Sequence, residues 1–184
     1  SALLASLNLT QYLVQTKHGY DLDKRSFRQG VSNAVRFLDG MHDLHTHPTN
    51  ALAANSLATR KIGVGIMGFA HALALLDIRY GTSESMEFAA TIGRLLMTAA
   101  REESEGLAEK RGPFPAWQDS LGTPRRNACL VAVAGTATIS LLVNTSGGIE
   151  PILAPFREQR VIDTHLRVLD PIVSIFCERA GISL

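Results

Sequence analysis

Apolar and polar positions alternate with helical spacing over several long stretches of this chain. The most regular runs from Asp23 to Leu44, where Asp21 or Asp23 is available as a cap. Apolar side chains recur there at steps of three and four residues, at Phe27, Val31, Ala34, Leu38 and Met41. Further helices are predicted at 50–59, from Phe69 through Leu76, at 84–110, and between Pro171 and Gly181, with Asp170 as the cap of the last.

Strand patterns are shorter and fewer. Ile62, Val64 and Ile66 alternate with two glycines, which is the period of a strand whose bare face is approached closely by other backbone. Cys129–Val133 belongs to a nearly unbroken apolar run, typical of a strand buried on both faces, and Phe156–Val161 is a further short candidate. The pattern therefore predicts a mainly helical α/β chain with strands in fewer than a third of its residues.

A loop of small residues follows the predicted strand at Cys129–Val133. Ala134 to Thr138 are all small, and Ile139–Val143 has helical or turn-like character. The first free amides of a helix point beyond the end of the preceding strand, where the helix dipole favours a negative group. The loop therefore predicts an anion site, with phosphate as the natural ligand.

The composition bears on the number of domains, on binding to nucleic acid or membranes, and on the location of the protein. The 184 residues are 46% hydrophobic with a net charge of +1, which predicts one domain over residues 1–184 with a substantial core. So neutral a chain is not expected to bind nucleic acid or an anionic membrane. Its apolar stretches are interrupted well short of the ~20 residues that span a bilayer, and no secretory signal is evident, so we expect a cytoplasmic protein.

Neither cysteines nor histidines predict a metal site. Cys129 and Cys177 have no spacing typical of a disulfide framework or a metal cage, and both are expected to be inert core residues. His42, His45 and His47 cluster near a predicted helix end, with only two aspartates and no cysteine close by. We interpret them as solvated histidines that suit the negative end of the helix dipole.

Two other motifs have competing interpretations. Gly63 to Gly68 fits G-x-G-x-x-G, but the chain lacks the repeated strand–helix alternation and the acidic residue of a dinucleotide site, so its glycines are expected to serve packing. Arg125 and Arg126 could form salt bridges or meet a phosphate, and the structural role is favoured.

Five stretches resemble the catalytic subunit of ribonucleotide reductase, particularly its adenosylcobalamin-dependent class. That family carries Arg-Asn-Ala, an apolar strand, Ala-Pro-Thr-Gly-Thr-Ile-Ser and Ser-Ser-Gly-Ile-Glu-Pro, preceded by a helix and by Arg-Lys-Ile-Gly-Leu-Gly-Val-Met-Gly-Phe-Ala. The matching stretches here are Arg126-Asn127-Ala128, Ala134 to Ser140, Ser146 to Pro151, Ala34 to Asp39 and Thr59 to Ala70.

The resemblance implies a fold, a ligand and partners. The chain would be a fragment or truncated relative of the reductase α/β barrel, with adenosylcobalamin as the parent family's cofactor and none demonstrable for this chain. The backbone amides of Thr136, Ala137, Thr138 and Ile139 would bind the diphosphate of a ribonucleotide, and the threonine hydroxyls would add donors. The family has proline where this chain has Gly135, and glycine at Ala137. The missing reductase half or a second copy of the chain would be the partner.

The resemblance also implies missing chemistry. The family's Cys-Asn-Leu-Gly-Ser-Ile-Asn-Leu falls on Ala2 to Leu9, so Ala2 replaces a redox cysteine, and the radical cysteine and its glutamate belong to a loop upstream of Ser1. We therefore assign no catalytic residue and expect no ribonucleotide reduction from this chain alone. Three functions remain open: the phosphate-binding part of a reductase, a non-catalytic nucleotide or phosphate sensor or accessory protein, and a ligand-free helical scaffold.

Overall fold

The computed structural model describes residues 2–119, 122–161 and 164–182. Helices take up about half of the chain and strands well under a third, as predicted. The α-helices are α1 (Lys24–Leu44), α2 (Asn50–Thr59), α3 (Phe69–Leu75), α4 (Ser83–Arg111), α5 (Ala137–Leu142) and α6 (Pro171–Ala180), and Leu9–Tyr12 is a 3-10 helix. The strands are β1 (Leu3–Asn8), β2 (Leu13–Thr16), β3 (Gly19–Leu22), β4 (Ile62–Met67), β5 (Phe156–Val161) and β6 (Thr164–Leu169).

The parallel sheet lies at the centre of the fold. β1 and β4 pair in parallel, with Leu3 opposite Ile62, and a parallel bridge joins Val64 to Val131 on the other side of β4. Helical segments connect these three positions, as expected of part of an α/β barrel. The described residues do not close the barrel.

The predicted strand at Cys129–Val133 forms only in part. Its backbone follows β4, with hydrogen bonds from Ile62 N to Cys129 O (3.0 Å) and from Val64 N to Leu130 O (2.8 Å), but it forms a single bridge. Among the described strands only β4 flanks it, so Leu130 is buried while Val133 is 76% exposed. The expectation that Cys129 is a core residue is wrong because its side chain is exposed, and Cys177 is half-buried.

Helices α1 and α4 pack against one face of the sheet. Asp23 caps α1 by accepting a hydrogen bond from Ser26 N, and Gly112 ends α4. The predicted apolar face of α1 is confirmed, since its central positions are buried together with side chains of β4 and α4. These core residues include Phe27, Val31, Val35, Leu38, Ile62, Val64, Ile92 and Leu96.

On the opposite face of β4, Gly63 and Gly65 have no side chains, and other parts of the chain pack directly against the backbone, as the sequence predicted. A Cβ atom on Gly63 would lie 2.6 Å from Leu4 Cδ2 and 2.8 Å from Ala132 Cβ, and one on Gly65 would collide with the carbonyl oxygen of Ala132. Other parts of the chain therefore fill the space beside these two glycines, which leaves no room for a phosphate there. The packing interpretation of the glycine motif is confirmed over the dinucleotide one.

A buried polar network fixes the entry to β4. Asp39 of α1 has no exposed surface, and one of its oxygens accepts from Arg60 Nε (2.8 Å) and Asn127 Nδ2 (3.0 Å). The Arg60 guanidinium also bonds Asp43 Oδ1 (2.7 Å) and the Asp39 carbonyl (2.7 Å). Arg60 ends α2 with a left-handed φ of 43°, which turns the chain directly into β4. A buried charge of this kind needs its partners.

The same network reaches α4 and the third strand position. Ser104 Oγ donates to Asn127 Oδ1 (3.0 Å) and accepts from Asn127 N (3.1 Å). Arg126 Nε lies 3.5 Å from the second oxygen of Asp39. The structural role predicted for Arg126 is confirmed, and the network joins α1, α2, α4 and the segment before Cys129.

The histidines near the end of α1 differ in their exposure to solvent. His42 lies one turn after Leu38 on the buried face of α1, is 2% exposed, and has Nε2 3.0 Å from the Lys61 carbonyl oxygen. The expectation of a solvated side chain is therefore wrong for His42 and right for His45, which is exposed. No metal-binding group of three or more His, Cys, Asp or Glu residues occurs in the part of the chain that the structure describes.

Several strands had no clear pattern in the sequence. Within the described ranges, β1 pairs with β4 alone, and β2 pairs with β3 as an antiparallel hairpin with Leu13 opposite Leu22. β5 matches the predicted segment but forms a hairpin with β6, where Phe156 lies opposite Leu169. Polar and charged residues are mixed among the apolar ones in these hairpins, so their strands lack the regular alternation by which a strand is predicted.

Removing the carboxylate of Asp39 should strongly destabilise the fold. Asp39→Ala leaves the buried Arg60 guanidinium without its main partner, at an expected cost of about 3–5 kcal/mol in the free energy of unfolding. Urea denaturation followed by circular dichroism measures this cost. Glu102→Ala removes the exposed ion pair with Arg28 and should cost less than about 1 kcal/mol. Equal costs for the two variants would contradict the role given to Asp39.

His42 should make stability depend on pH. Burial lowers the pKa of His42, so below its ordinary value of about 6.5 the unfolded chain binds a proton more readily than the folded chain. The free energy of unfolding should therefore fall as pH falls from about 6.5, and His42→Gln should make that fall shallower. Denaturation midpoints at a series of pH values test this, with the exposed His18→Gln as control. An unchanged slope in His42→Gln would refute the assignment.

Candidate functional site

The predicted phosphate loop leads into a short helix with free amides. Thr136 adopts a left-handed φ of 45°, and α5 begins at the next residue. Its first internal hydrogen bond runs from Ser140 N to Thr136 O (3.0 Å). Within the described part of the chain, the amides of Ala137, Thr138 and Ile139 have no acceptor, and all three residues are exposed. Three donors are thus available at one end of the loop.

The second motif packs directly on the first. Gly148 N donates to the hydroxyl of Thr136 (2.7 Å). A Cβ atom on Gly148 would lie 2.7 Å from the carbonyl oxygen of Ala134, and one on Gly147 would lie 2.9 Å from that of Gly135. Gly148 also has a left-handed φ of 40°. Side chains at these two glycines would push the loop away, so the two motifs form one interlocked unit.

Gly135 and Ala137, the two residues that differ from the reductase pattern, lie at uncrowded positions of the loop. A Cβ atom on Gly135 would meet only Glu150 Oε1, at 3.9 Å, and the φ of Gly135 is outside the left-handed region. Ala137 begins α5 with an exposed side chain, and alanine suits a helix. The loop geometry therefore accommodates both residues.

Two cavities flank α5 and differ in chemistry. The first has a volume of about 320 Å³ and lies between the loop and β1, lined by Leu4, Ala5, Ser6, Ala134 and Thr136 to Ile139. The second, of about 360 Å³, is lined among others by Glu150 and Asp170. Two carboxylates make the second cavity unsuitable for an anion, whereas the first is lined by the residues that bear the free amides. Ala2, which the resemblance aligns with a redox cysteine, immediately precedes β1, and Leu4, Ala5 and Ser6 of β1 line the first cavity.

Helix α3 holds the second motif in place. Gly68 N donates to Ser146 O (2.8 Å), and Phe69 N donates to Gly148 O (3.4 Å). Gly68 has a φ of 79°, and a Cβ atom there would lie 2.6 Å from Thr145 Oγ1. Gly68, the last glycine of the G-x-G-x-x-G motif, therefore leaves room for Thr145 to pack against the start of α3.

A buried histidine that the sequence analysis missed lies behind this contact. His71 of α3 has Nε2 2.8 Å from Asp170 Oδ1 and Nδ1 3.1 Å from Thr145 Oγ1, and all three residues are at least 95% buried. Asp170 was predicted only as a helix cap, and it does accept from Ile172 N (3.1 Å). The three residues are far apart in sequence, so no local pattern could have joined them.

Neither of the two cavities beside α5 has room for a corrin cofactor. Volumes of about 320 and 360 Å³ are at the small end of pockets for organic ligands. Adenosylcobalamin is far larger than either. Separately, no helix in the described ranges is long and apolar enough to cross a membrane.

Comparison with known proteins relates the chain to one family. The family described as "Ribonucleotide reductase, barrel domain" matches residues 2–123. The vitamin B12-dependent ribonucleoside-diphosphate reductase of Mycobacterium tuberculosis is 41% identical over 174 residues, which cover 93% of this chain and 25% of that protein. Its counterpart in Thermoplasma acidophilum is 37% identical, covering 84% of this chain and 20% of that protein.

A third relative extends the comparison beyond the vitamin B12-dependent enzymes. The ribonucleoside-diphosphate reductase subunit alpha of Chlamydia trachomatis is 31% identical, covering 94% of this chain and 16% of that protein. The chain thus spans about a quarter or less of the length of these relatives. Because the barrel-domain family matches well over half of its residues, the chain belongs to the ribonucleotide reductase family.

Proposed function

We propose that this chain supplies the substrate-phosphate-binding part of a ribonucleoside-diphosphate reductase barrel. The observation that supports this most directly is the set of free amides at Ala137, Thr138 and Ile139, on residues that line a cavity of about 320 Å³ at the start of a helix. Such amides, with the positive end of the helix dipole, attract a phosphate. The ligand would be a nucleotide, held by its phosphates.

The threonine hydroxyls add to this set of donors. Thr136 Oγ1 accepts from Gly148 N, so its own proton is free to be donated to a phosphate oxygen. Thr138 is exposed in the first turn of α5 and contributes a second hydroxyl. Three amides and two hydroxyls can thus position one phosphate without any charged side chain.

Positioning is the only part of the reaction that these residues provide. Reduction of a ribose in this family requires a sulfur radical and a pair of reducing thiols, but Ala2 has no thiol. Cys129 lies at the edge of the sheet, and Cys177 lies in α6. Holding a substrate does not replace a missing reacting group. We therefore assign this chain the binding role, with the rest of a reductase barrel or a second copy of the chain as its partner.

A second function is favoured by the alanine at position 2. A chain that binds nucleotide phosphates but lacks the redox thiol is suited to act as a non-catalytic sensor or accessory protein. Both functions use the same amides. They differ in whether the chain assembles with a protein that contributes the radical and redox cysteines.

Phosphate binding can be tested at the amides themselves. Titrating the ¹⁵N-labelled chain with inorganic phosphate or a ribonucleoside diphosphate should shift the amide signals of Ala137, Thr138 and Ile139. Thr138→Pro should abolish the response because proline has no amide hydrogen, and the first turn of a helix tolerates it. Thr138→Ala keeps the amide and should retain most of the binding. Amide signals that stay unchanged at millimolar ligand would overturn the proposal.

The purified chain should not reduce ribonucleotides. Incubation with a ribonucleoside diphosphate, adenosylcobalamin and dithiothreitol is expected to yield no deoxyribonucleotide above a protein-free blank. Turnover that survives both Cys129→Ser and Cys177→Ser would show that the chemistry has been misassigned. Turnover lost in either variant would identify that cysteine as a participant. Chromatography of the digested nucleosides measures the product.

A further inference from the structure

We propose that His71 is a positioning residue for the phosphate loop, acting through the segment Thr145–Gly148, which we call the clamp segment. The inference rests on the phosphate-binding function proposed above. His71 does not face the cavity beside the loop. It would act by fixing the clamp segment, which in turn holds both ends of α5.

The clamp segment makes one contact with each end of the short helix. Thr145 N donates to Ser140 O (2.9 Å), near the C-terminal end of α5, and Gly148 N donates to Thr136 Oγ1 (2.7 Å) at its start. A helix of six residues is unstable by itself in water. Its orientation, and with it the direction of the free amides, therefore depends on the clamp segment.

Helix α3 and its cap secure the clamp segment at four points. Three use backbone amides: Gly68 N donates to Ser146 O, Phe69 N donates to Gly148 O, and His71 N donates to Ser146 Oγ (3.5 Å). The fourth is the side-chain bond between His71 Nδ1 and Thr145 Oγ1 (3.1 Å). It is the one of the four that involves the side chain of Thr145, whose amide donates to Ser140 O of α5.

Asp170 sets the tautomer of His71 that this contact needs. A carboxylate only accepts hydrogen bonds, so His71 Nε2 carries the proton and donates it over 2.8 Å to Asp170 Oδ1. In the neutral imidazole, Nδ1 is then an acceptor for the hydroxyl of Thr145. Burial of all three residues keeps water from competing for these bonds. The start of α6, which Asp170 caps, is thereby linked to the phosphate loop.

Two pairs of variants test the relay in the full 184-residue chain. Thr145→Val removes the hydroxyl, whereas Thr145→Ser keeps it. His71→Asn places a polar group near the position of Nδ1 and can still bond Thr145, whereas His71→Gln places one near Nε2 and keeps only the link to Asp170. Each His71 variant loses one buried hydrogen bond, so the two should lose similar stability. Only His71→Gln loses the bond to Thr145, so a difference in phosphate affinity between them reports positioning.

The readout is the affinity for inorganic phosphate, measured from the amide shifts of Ala137, Thr138 and Ile139, with a thermal melt of each variant. Thr145→Val and His71→Gln should bind phosphate about three- to tenfold more weakly than the unaltered chain, the effect of one lost hydrogen bond. Thr145→Ser and His71→Asn should stay close to it. Hydrogen exchange at the Gly148 amide should accelerate in the two weak binders.

The outcomes separate the two proposals. Normal phosphate affinity in folded Thr145→Val and His71→Gln would overturn the role of His71 and leave the phosphate site standing. Affinity that falls equally in all four variants, in step with their melting temperatures, would also overturn it, since His71 would then be a core residue only. An unaltered chain that binds no phosphate would overturn both proposals.

Discussion

Asp39 holds a negative charge where no surface reaches water, and its carboxylate is matched by Arg60, Asn127 and Arg126. These partners come from two different parts of the chain. Arg60 turns α2 into β4, and the other two precede the extended segment at the third strand position. A buried charge tolerates little displacement of its partners, because their loss leaves it unpaired at low dielectric. This one carboxylate therefore fixes, relative to α1, the points from which β4 and the extended segment start.

The candidate site lies at the far end of the segment that this network fixes. Asn127 is held by Ser104 and Asp39, and the chain then follows β4 for a few residues before it reaches Ala134. From there the glycines of the second motif and the amide of Gly148 determine where Thr136 lies. The network thus sets where the loop starts, and the contacts with α3 set where it ends.

The sequence correctly predicted those features of the fold that depend on residues close together in the chain. The bounds of α2, the caps at Asp23 and Asp170, and the bare face of β4 follow from side-chain period, capping and glycine content. The phosphate site at residues 136–139 stays a prediction, although the structure shows unbonded amides there. His42 and Cys129 were misjudged because their exposure depends on which elements pack beside them. The His71 contacts span 74 and 99 residues, beyond any local pattern.

The interlocked glycines restrict how this loop can diverge among related chains. Gly147 and Gly148 touch carbonyl oxygens of the first motif, so a larger residue at either position displaces the whole loop. Gly135 has open space around it. Exchange of the residue is therefore cheap at Gly135 and costly at Gly147 and Gly148. A related chain that keeps small residues at both of the crowded positions can retain this loop shape even when another residue stands in place of Gly135.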